Sequence, residues 1–433
     1  MKMSIKRIGI FVLMAALLYQ DTLTRLTGLS FLNYLDEVFI LMLFGTGLLR
    51  SRGKIPRFVV RLLLLTALFF GIGIVCCLVF SEYRPRDLMM AGLLSIKFFL
   101  VVAAVLLHKP SISCIRMMQD AVKALGAFGF VCGVVNFVTP TLWTRLFSFT
   151  WIETKAGIHN VMGLFIHPGQ FGWFMLFVGI LYYAQYKTGR KRRDLVFAAA
   201  YAAMAMLSLK AKVILGVGFV LLADWFLVDH RKIYLTKYVG PVVGLVAMVT
   251  VFGSFIYEKI SKYILGTATE VTARYVLLNR SFQIAADYFP VGVGFGKFGS
   301  WYARIRYSEY YYKYDCTTVY GLQPEDPRFA TDTFWPAVLG ETGVIGLLVY
   351  LILLGTMGVR LLKTARANWA GAFAKSTALF GFLTLIQSLA ESMGEAAFNS
   401  SPQNIFLGAA VGLGLCMGVY RKKYSADGGC HNV

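Results

Sequence analysis

A chain of 433 residues with 58% hydrophobic and only 15% charged side chains, at a mean hydropathy of +0.64, lacks the polar surface to face water all round; soluble domains carry about 25% charged residues. A formal net charge of +21 would suggest nucleic acid in a soluble protein. Here the densest basic clusters lie between apolar blocks, so the charge reads as membrane topology and no nucleic-acid partner is expected.

Apolar blocks of roughly 17 to 25 residues are long enough to cross about 30 Å of hydrocarbon as helices. They predict about twelve spans, at 8-24, 31-49, 58-80, 88-107, 118-138, 162-186, 194-208, 211-229, 238-257, 334-358, 372-391 and 402-420. The first leads straight into further spans and reads as a span, not as a cleavable signal. Alternate gaps carry the cations: Lys2, Lys6 and Arg7; Arg50, Arg52, Lys54 and Arg57; Lys109 and Arg116; the run Lys187 to Arg193; Arg231, Lys232 and Lys237; Arg360, Lys363 and Arg366; and Arg421 to Lys423. The positive-inside rule puts these gaps and both termini in the cytoplasm. The fold class expected is an all-α polytopic membrane protein in three parts: nine spans over 1-257, one large extracytoplasmic loop over 258-333, and three spans with a cytoplasmic tail over 334-433.

Seven cysteines are scattered without metal-ligand spacing, and only Cys316 falls outside the spans on the far side, so neither a disulfide in the loop nor a metal site is expected. At about 75 residues the loop is too long for a connection. It holds an amphipathic helical stretch at 270-288, then the turn PVGVGFGKFGS, then the aromatic run WYARIRYSEYYYKYDCTTVY. The turn is no part of a βαβ unit, so a dinucleotide site is disfavoured and close backbone packing is the plain reading. The aromatics, Tyr311 among them, read either as an interfacial belt or as a stacking surface for sugar rings.

Cations outside the cytoplasmic set are the informative ones. Lys210 and Lys212 sit in a tight connection, Arg274 and Arg280 at the start of the loop, Arg304 and Arg306 in its aromatic run, and Lys97 inside a span. Each has a bland reading, snorkelling or pairing with Asp287, Glu270 or Asp332. Together Lys212, Arg274 and Arg280 suit an anion such as phosphate or pyrophosphate, which guanidinium forks bind bidentately. Arg274 and Arg280 are six residues apart, about 120° off one helical face, so a shared target would lie between them. No GxxxxGK[ST] motif occurs, which disfavours a nucleoside triphosphate.

The segment TDTFWPAVLGETGVIGLL, from Thr331 to Leu348, resembles the loop-to-helix signature of the O-antigen polymerase and ligase superfamily. Upstream, RYVLLNRSFQIAADYFPVGVGFGKFGS is similar to the family's arginine, amphipathic helix and glycine-rich turn. MLSLKAKVILGVG resembles its L-S-x-S-R-x segment, with Lys212 where arginine is usual; KAGIHNVMGLFIHPGQFGWF and ESMGEAAFNSSPQNIFLG resemble an earlier block and its last outward turn. The blocks follow family order over roughly 155 to 415. The resemblance implies a GT-C-like membrane glycosyltransferase in the bacterial cytoplasmic membrane, with undecaprenyl-pyrophosphate-linked glycans as donor and acceptor. A flippase and a chain-length regulator would be its partners besides the bilayer. Family ligases carry His where this chain has Asp332, which favours a polymerase.

Such a reaction needs a pyrophosphate site, a base for the acceptor hydroxyl and a groove for sugars. Arg274, Arg280 and Lys212 are the candidates for charge on the departing pyrophosphate, and Lys210, Arg304, Arg306 and Tyr311 for further substrate contacts. Asp332 is the candidate base, or else the N-cap of the following helix. Glu341 reads as a buried hydrogen-bond partner, Glu391 with Glu395 as cavity or surface groups, and His167 and His159 as satisfied polar groups near a span mouth. No DxD motif is present, so metal-independent transfer with no cofactor is expected. The competing expectations are a ligase acting on another acceptor and a glycolipid transporter, which should spread polar groups along a midplane path.

Overall fold

The computed structural model describes residues 5–155, 157–228, 261, 271–421 and 424. Several of its helices begin at or after proline or after a small capping side chain, and several end at a left-handed residue. Thus α1 (Ile5–Leu18), α2 (Gln20–Thr27) and α3 (Leu35–Ser51) are followed by α4 (Arg57–Phe80), which starts directly after Pro56. The next helix, α5 (Pro85–His108), has proline in its first turn and stops at Lys109, at φ 50°. Ser111 caps α6 (Ile112–Val138) by accepting from the Cys114 N–H. After the short α7 (Pro140–Leu146) come α8 (Pro168–Gly189), α9 (Arg192–Met206) and α10 (Ala211–Ala223), the last running on as a π-helical turn to Val228.

Three short helices follow in the long intervening segment: α11 (Ala273–Asp287), α12 (Trp301–Arg306) and α13 (Glu309–Lys313). Then come α14 (Trp335–Ala365), α15 (Ala372–Glu391) and α16 (Gln403–Val419). A two-residue hairpin, Thr154–Lys155 against Ile158–His159, is the one sheet among the described residues.

Seven of these helices, the 3-10 turn before α3 included with it, are long and apolar enough to cross a membrane, and α1 with α2 forms an eighth if the bent pair is one span. This is an all-α, multi-pass membrane protein. The span expected at 8-24 is broken at Tyr19, where α2 turns off by 73°. That expected at 162-186 starts only at Pro168, since a residue before proline is held extended; His167 has φ -145° and ψ 135°. The span expected at 238-257 lies outside the described residues. In the middle of the bundle α5 packs on α3, α4 and α16, while α15 packs on α8, α10, α14 and α16. The mid-span Lys97 on α5 is buried against Asp36 and Glu37 of α3, the latter at 2.7 Å, so it does not snorkel, and among the described residues it pairs with neither Asp287 nor Asp332; Glu270 lies outside the described residues.

Between α11 and α12 the glycine turn enters the bundle. The Phe295 ring lodges beside Phe69 and Phe70 of α4, 5.7 and 6.1 Å between centroids. Gly294 has φ 96° and lies against the Cys77 backbone of α4, where no Cβ fits. Gly343, at φ 66° and ψ -165°, breaks α14 and lies against the Val291 backbone. Across that break Val293 and Gly294 donate to the carbonyls of Gly340 and Glu341, at 3.0 and 2.8 Å, and Ile345 donates to Pro290 at 3.2 Å. Backbone groups at membrane depth need such partners.

The rest of the segment has its own small core, built from Leu277 and Ile284 of α11 with Phe298, Tyr310, Tyr311, Tyr314 and Cys316. Gly294→Val should therefore lower stability by at least about 2 kcal/mol through the forced left-handed backbone and the collision with Cys77. Gly218→Ala, on an open face of α10, should leave it unchanged or slightly raised. Thermal unfolding of the detergent-purified protein, followed by size-exclusion profile, measures both; equal midpoints would refute the close-packing account.

Candidate functional site

Three segments far apart in sequence meet at the end of the bundle where the 271–333 segment sits. Thr272 caps α11 by accepting from the Tyr275 N–H, which sets Arg274 on its first turn. The Arg274 guanidinium donates to Asp332 Oδ2 at 3.2 Å and to the Gly394 carbonyl at 3.4 Å. Lys212, one residue into α10, is ion-paired with Glu395, just past the end of α15. Glu391, fully buried on the last turn of α15, accepts from Gln387 at 3.0 Å and faces Lys212. Gly169 on α8 closes the back of the site, since a Cβ there would meet the Lys212 amine and the His167 ring.

Lys210 continues the row at the same connection. It donates to Glu153 Oε2 at 2.8 Å, and Lys155 reaches the other oxygen at 2.9 Å. The hydrogen bond from Lys210, backed by that from Lys155, pulls the Glu153 carboxyl down to about 2. His167 Nδ1 accepts from the Gly169 N–H at 3.0 Å, as an N-cap for α8, and its ring lies 5.8 Å from Trp151. Burial, with Lys212 and Lys210 nearby, pushes His167 down to about 4. It is neutral at pH 7, carries its proton on Nε2, and offers no charge to an anion.

Asp332 is not the helix N-cap. The capping position of α14 is Phe334, and no side chain fills it. Desolvation raises the Asp332 carboxyl above its ordinary value, against the opposing pull of Arg274, Lys212 and Arg304. Side-chain exposures of 31% for Arg274 and 33% for Asp332 leave the pair open to a ligand.

Four sequence-derived candidates stand elsewhere or serve other ends. Arg280, nearly two turns along α11, bonds to Gln283 at 2.7 Å and faces the loop core near Cys316; the 600° between it and Arg274 takes it out of the cluster. Arg306 is tied to Asp87 of α5 by two hydrogen bonds, 2.7 and 3.1 Å, and so pins α12 to the bundle. Arg304 lies over the Trp301 ring at 5.4 Å. Tyr311 is 1% exposed, its hydroxyl accepting from the Gly299 N–H at 3.0 Å. It is a core residue and cannot stack on a sugar; Trp301, Tyr312 and Tyr320, with Phe282 and Phe289, are among the aromatics of the segment that reach the surface.

Glu341 is wholly enclosed behind the glycine turn. One carboxylate oxygen accepts from the N–H groups of Lys297 and Phe298, at 2.9 and 3.1 Å, and from the Ser300 hydroxyl at 2.6 Å. It holds the segment to α14. Glu395 and Glu153 complete the site; of the two only Glu395 is a candidate from the sequence, and the signal for Glu153 is that it is the one acid in the 139–161 connection. Among the described residues no three His, Cys, Asp or Glu side chains are placed to hold a metal ion. Compared with known proteins, the chain matches no family model and no curated sequence.

Glu341→Ala should cost at least about 2 kcal/mol of stability, because two buried N–H groups and a hydroxyl lose their acceptor. Glu341→Gln keeps a carbonyl acceptor and should stay within about 1 kcal/mol of the parent. Thermal midpoints of the two variants test this, and equal destabilisation by both would refute the acceptor role.

Proposed function

We propose that this protein is a membrane glycosyltransferase that polymerises lipid-linked oligosaccharide units, with the Arg274, Lys212 and Asp332 cluster as its reaction centre. The observation that carries the proposal is that two of the three expected anion-binding cations and the expected base occupy one partly exposed cluster, drawn from α10, α11 and the turn before α14. These are also the blocks whose sequence resembles the polymerase and ligase superfamily.

The chemistry follows from the geometry. A pyrophosphate entering between Arg274 and Lys212 competes with carboxylates for both cations and carries more charge than either acid. The acceptor hydroxyl oxygen bonds to the anomeric carbon of the donor while the bond from that carbon to the pyrophosphate oxygen breaks. The electron pair leaves with pyrophosphate, stabilised by Arg274 and Lys212, and the hydroxyl proton passes to Asp332. Exposed Trp301, Tyr312 and Tyr320 offer ring faces beside the segment for sugars. The substrate class read from the resemblance is undecaprenyl-pyrophosphate-linked glycan on the outer face of the bacterial cytoplasmic membrane.

A glycolipid transporter is the second reading, and one observation favours it: the buried Lys97, Asp36 and Glu37 charges inside the bundle. Turnover separates the two. With purified protein and a synthetic lipid-linked repeat unit, Arg274→Ala should lower polymer formation by about 10²–10³-fold, and Asp332→Asn by about 10²–10⁴-fold. Arg280→Ala, with its side chain turned to Gln283, should change it less than about threefold. Wild-type polymer ladders from Arg274→Ala would sink the proposal, and absence of any polymer from the folded, monodisperse parent protein would favour transport.

The raised carboxyl of Asp332 also predicts a pH dependence. The base must be ionised, so activity should fall as pH drops, with a midpoint above the ordinary aspartate value and displaced further upward in Arg274→Gln, which removes the opposing cation. A pH–rate profile with the same acid limb in both proteins would exclude Asp332 as the titrating base.

A further inference from the structure

The opposite end of the bundle holds a second basic site that the reaction does not use. Along α4, Arg61 lies sixteen residues before Cys77, where the glycine turn docks, so the two levels are roughly 24 Å apart. At the Arg61 level α4, α14 and the end of α16 enclose a cleft of about 790 Å³. Four cations line it: Arg61 from α4, Arg360 and Lys363 from α14, and Arg421 beyond α16. No carboxylate lines it, and none of the four is in an ion pair among the described residues.

Aromatic rings hold the guanidinium groups in place of acids. Arg360 lies 4.5 Å from the Phe58 ring centroid and Arg421 4.6 Å from that of Trp369. A ring covers the face of a guanidinium and leaves its N–H edges available. Arg360 spends one edge on the Gly418 carbonyl at 3.5 Å, while its Nε is buried with no hydrogen-bond partner. Cations that merely snorkel reach water separately; here four converge from three helices on one recess, and one donor cannot reach water at all.

The recess is also amphipathic. From the cations towards mid-membrane its wall is the α14 stripe Val359, Gly355 and Ile352, spaced i, i+3 and i+7, with Ile352 and Val359 about half exposed. Gly355 leaves the stripe flat. A charged head at the helix ends with a hydrocarbon trough leading inward fits one class of occupant.

We propose that this cleft binds an anionic phospholipid, its phosphate held by Arg61, Arg360, Lys363 and Arg421 and an acyl chain laid along Ile352, Gly355 and Val359. Guanidinium forks suit phosphate oxygens, and the cation-only lining discriminates against zwitterionic heads, whose ammonium meets like charge.

Native mass spectrometry of the full-length detergent-purified protein tests this, by titrating chain-matched phosphatidylglycerol against phosphatidylcholine, with inorganic phosphate as a third arm. Expected is at least a tenfold preference for phosphatidylglycerol, undiminished by millimolar inorganic phosphate. Arg360→Gln with Arg421→Gln should abolish the preference. Arg61→Gln with Lys363→Gln, both exposed and so the safer pair for folding, should cut it at least fivefold, while Arg50→Gln with Arg52→Gln outside the cleft should not change it. Equal binding of the two lipids, an unchanged preference in the Arg61 and Lys363 pair, or full displacement of phosphatidylglycerol by inorganic phosphate would each overturn the proposal.

Discussion

The break in α14 and the carboxylate beside it are the constraint on which the rest of the molecule hangs. Gly343 leaves helical geometry in the middle of a bundle, which strips the carbonyls of Gly340 and Glu341 of their helical donors. In a membrane protein such groups find partners or the structure does not form. The glycine turn supplies them through Val293 and Gly294, and Glu341 then satisfies the next N–H groups along, those of Lys297 and Phe298. Helix break and turn complete each other. Because α11 ends three residues before Pro290 and Asp332 stands three residues before α14 begins, the same junction fixes the far end of α11 and the segment's return to the bundle. Arg274, a helix length back along α11, meets Asp332 across that frame.

The two ends of the bundle handle charge in opposite ways. Around Lys210, Lys212 and Arg274 every cation has a carboxylate: Glu153, Glu395 and Asp332 respectively, with Glu391 behind Lys212. Such a network is nearly neutral, so an anion enters only by displacing an acid. Around Arg360 and Arg421 the counter-groups are aromatic rings, which orient a guanidinium without neutralising it. A neutralised cluster suits a ligand that must arrive and leave. An unneutralised one suits a resident anion.

Periodicity and length made the helices legible from sequence, and the glycine run was readable as a place where backbones approach. Helical phase alone already set Arg280 about 120° off the face of Arg274, and the structure keeps them on separate tasks. Other features depend on contacts that no local pattern encodes. The partners of Lys97 lie some sixty residues away on α3, and Arg306 reaches Asp87 across more than two hundred. A dense aromatic run looks the same whether it lines a membrane interface, a sugar groove or a small core; Tyr310, Tyr311 and Tyr314 take the third option, while Tyr312 and Tyr320 face outward. Asp332 showed the limit of a local rule, since its spacing before α14 suited a cap but Arg274 supplies the stronger partner.

On the proposed reaction, that last contact couples binding to chemistry. A carboxylate bonded to a guanidinium is a poor base, because the cation stabilises its ionised form. Burial works the other way and raises its proton affinity. A pyrophosphate that draws Arg274 towards itself removes the stabilising partner and leaves the desolvation in place. Asp332 therefore becomes a better base only when donor occupies the site. Arg274 is then asked to do two things with one charge: hold the leaving group, and keep Asp332 quiet until the leaving group is there. Asp332 and the Gly394 carbonyl take their hydrogen bonds from the same guanidinium nitrogen, Nη2, so drawing that nitrogen towards a pyrophosphate loosens both at once.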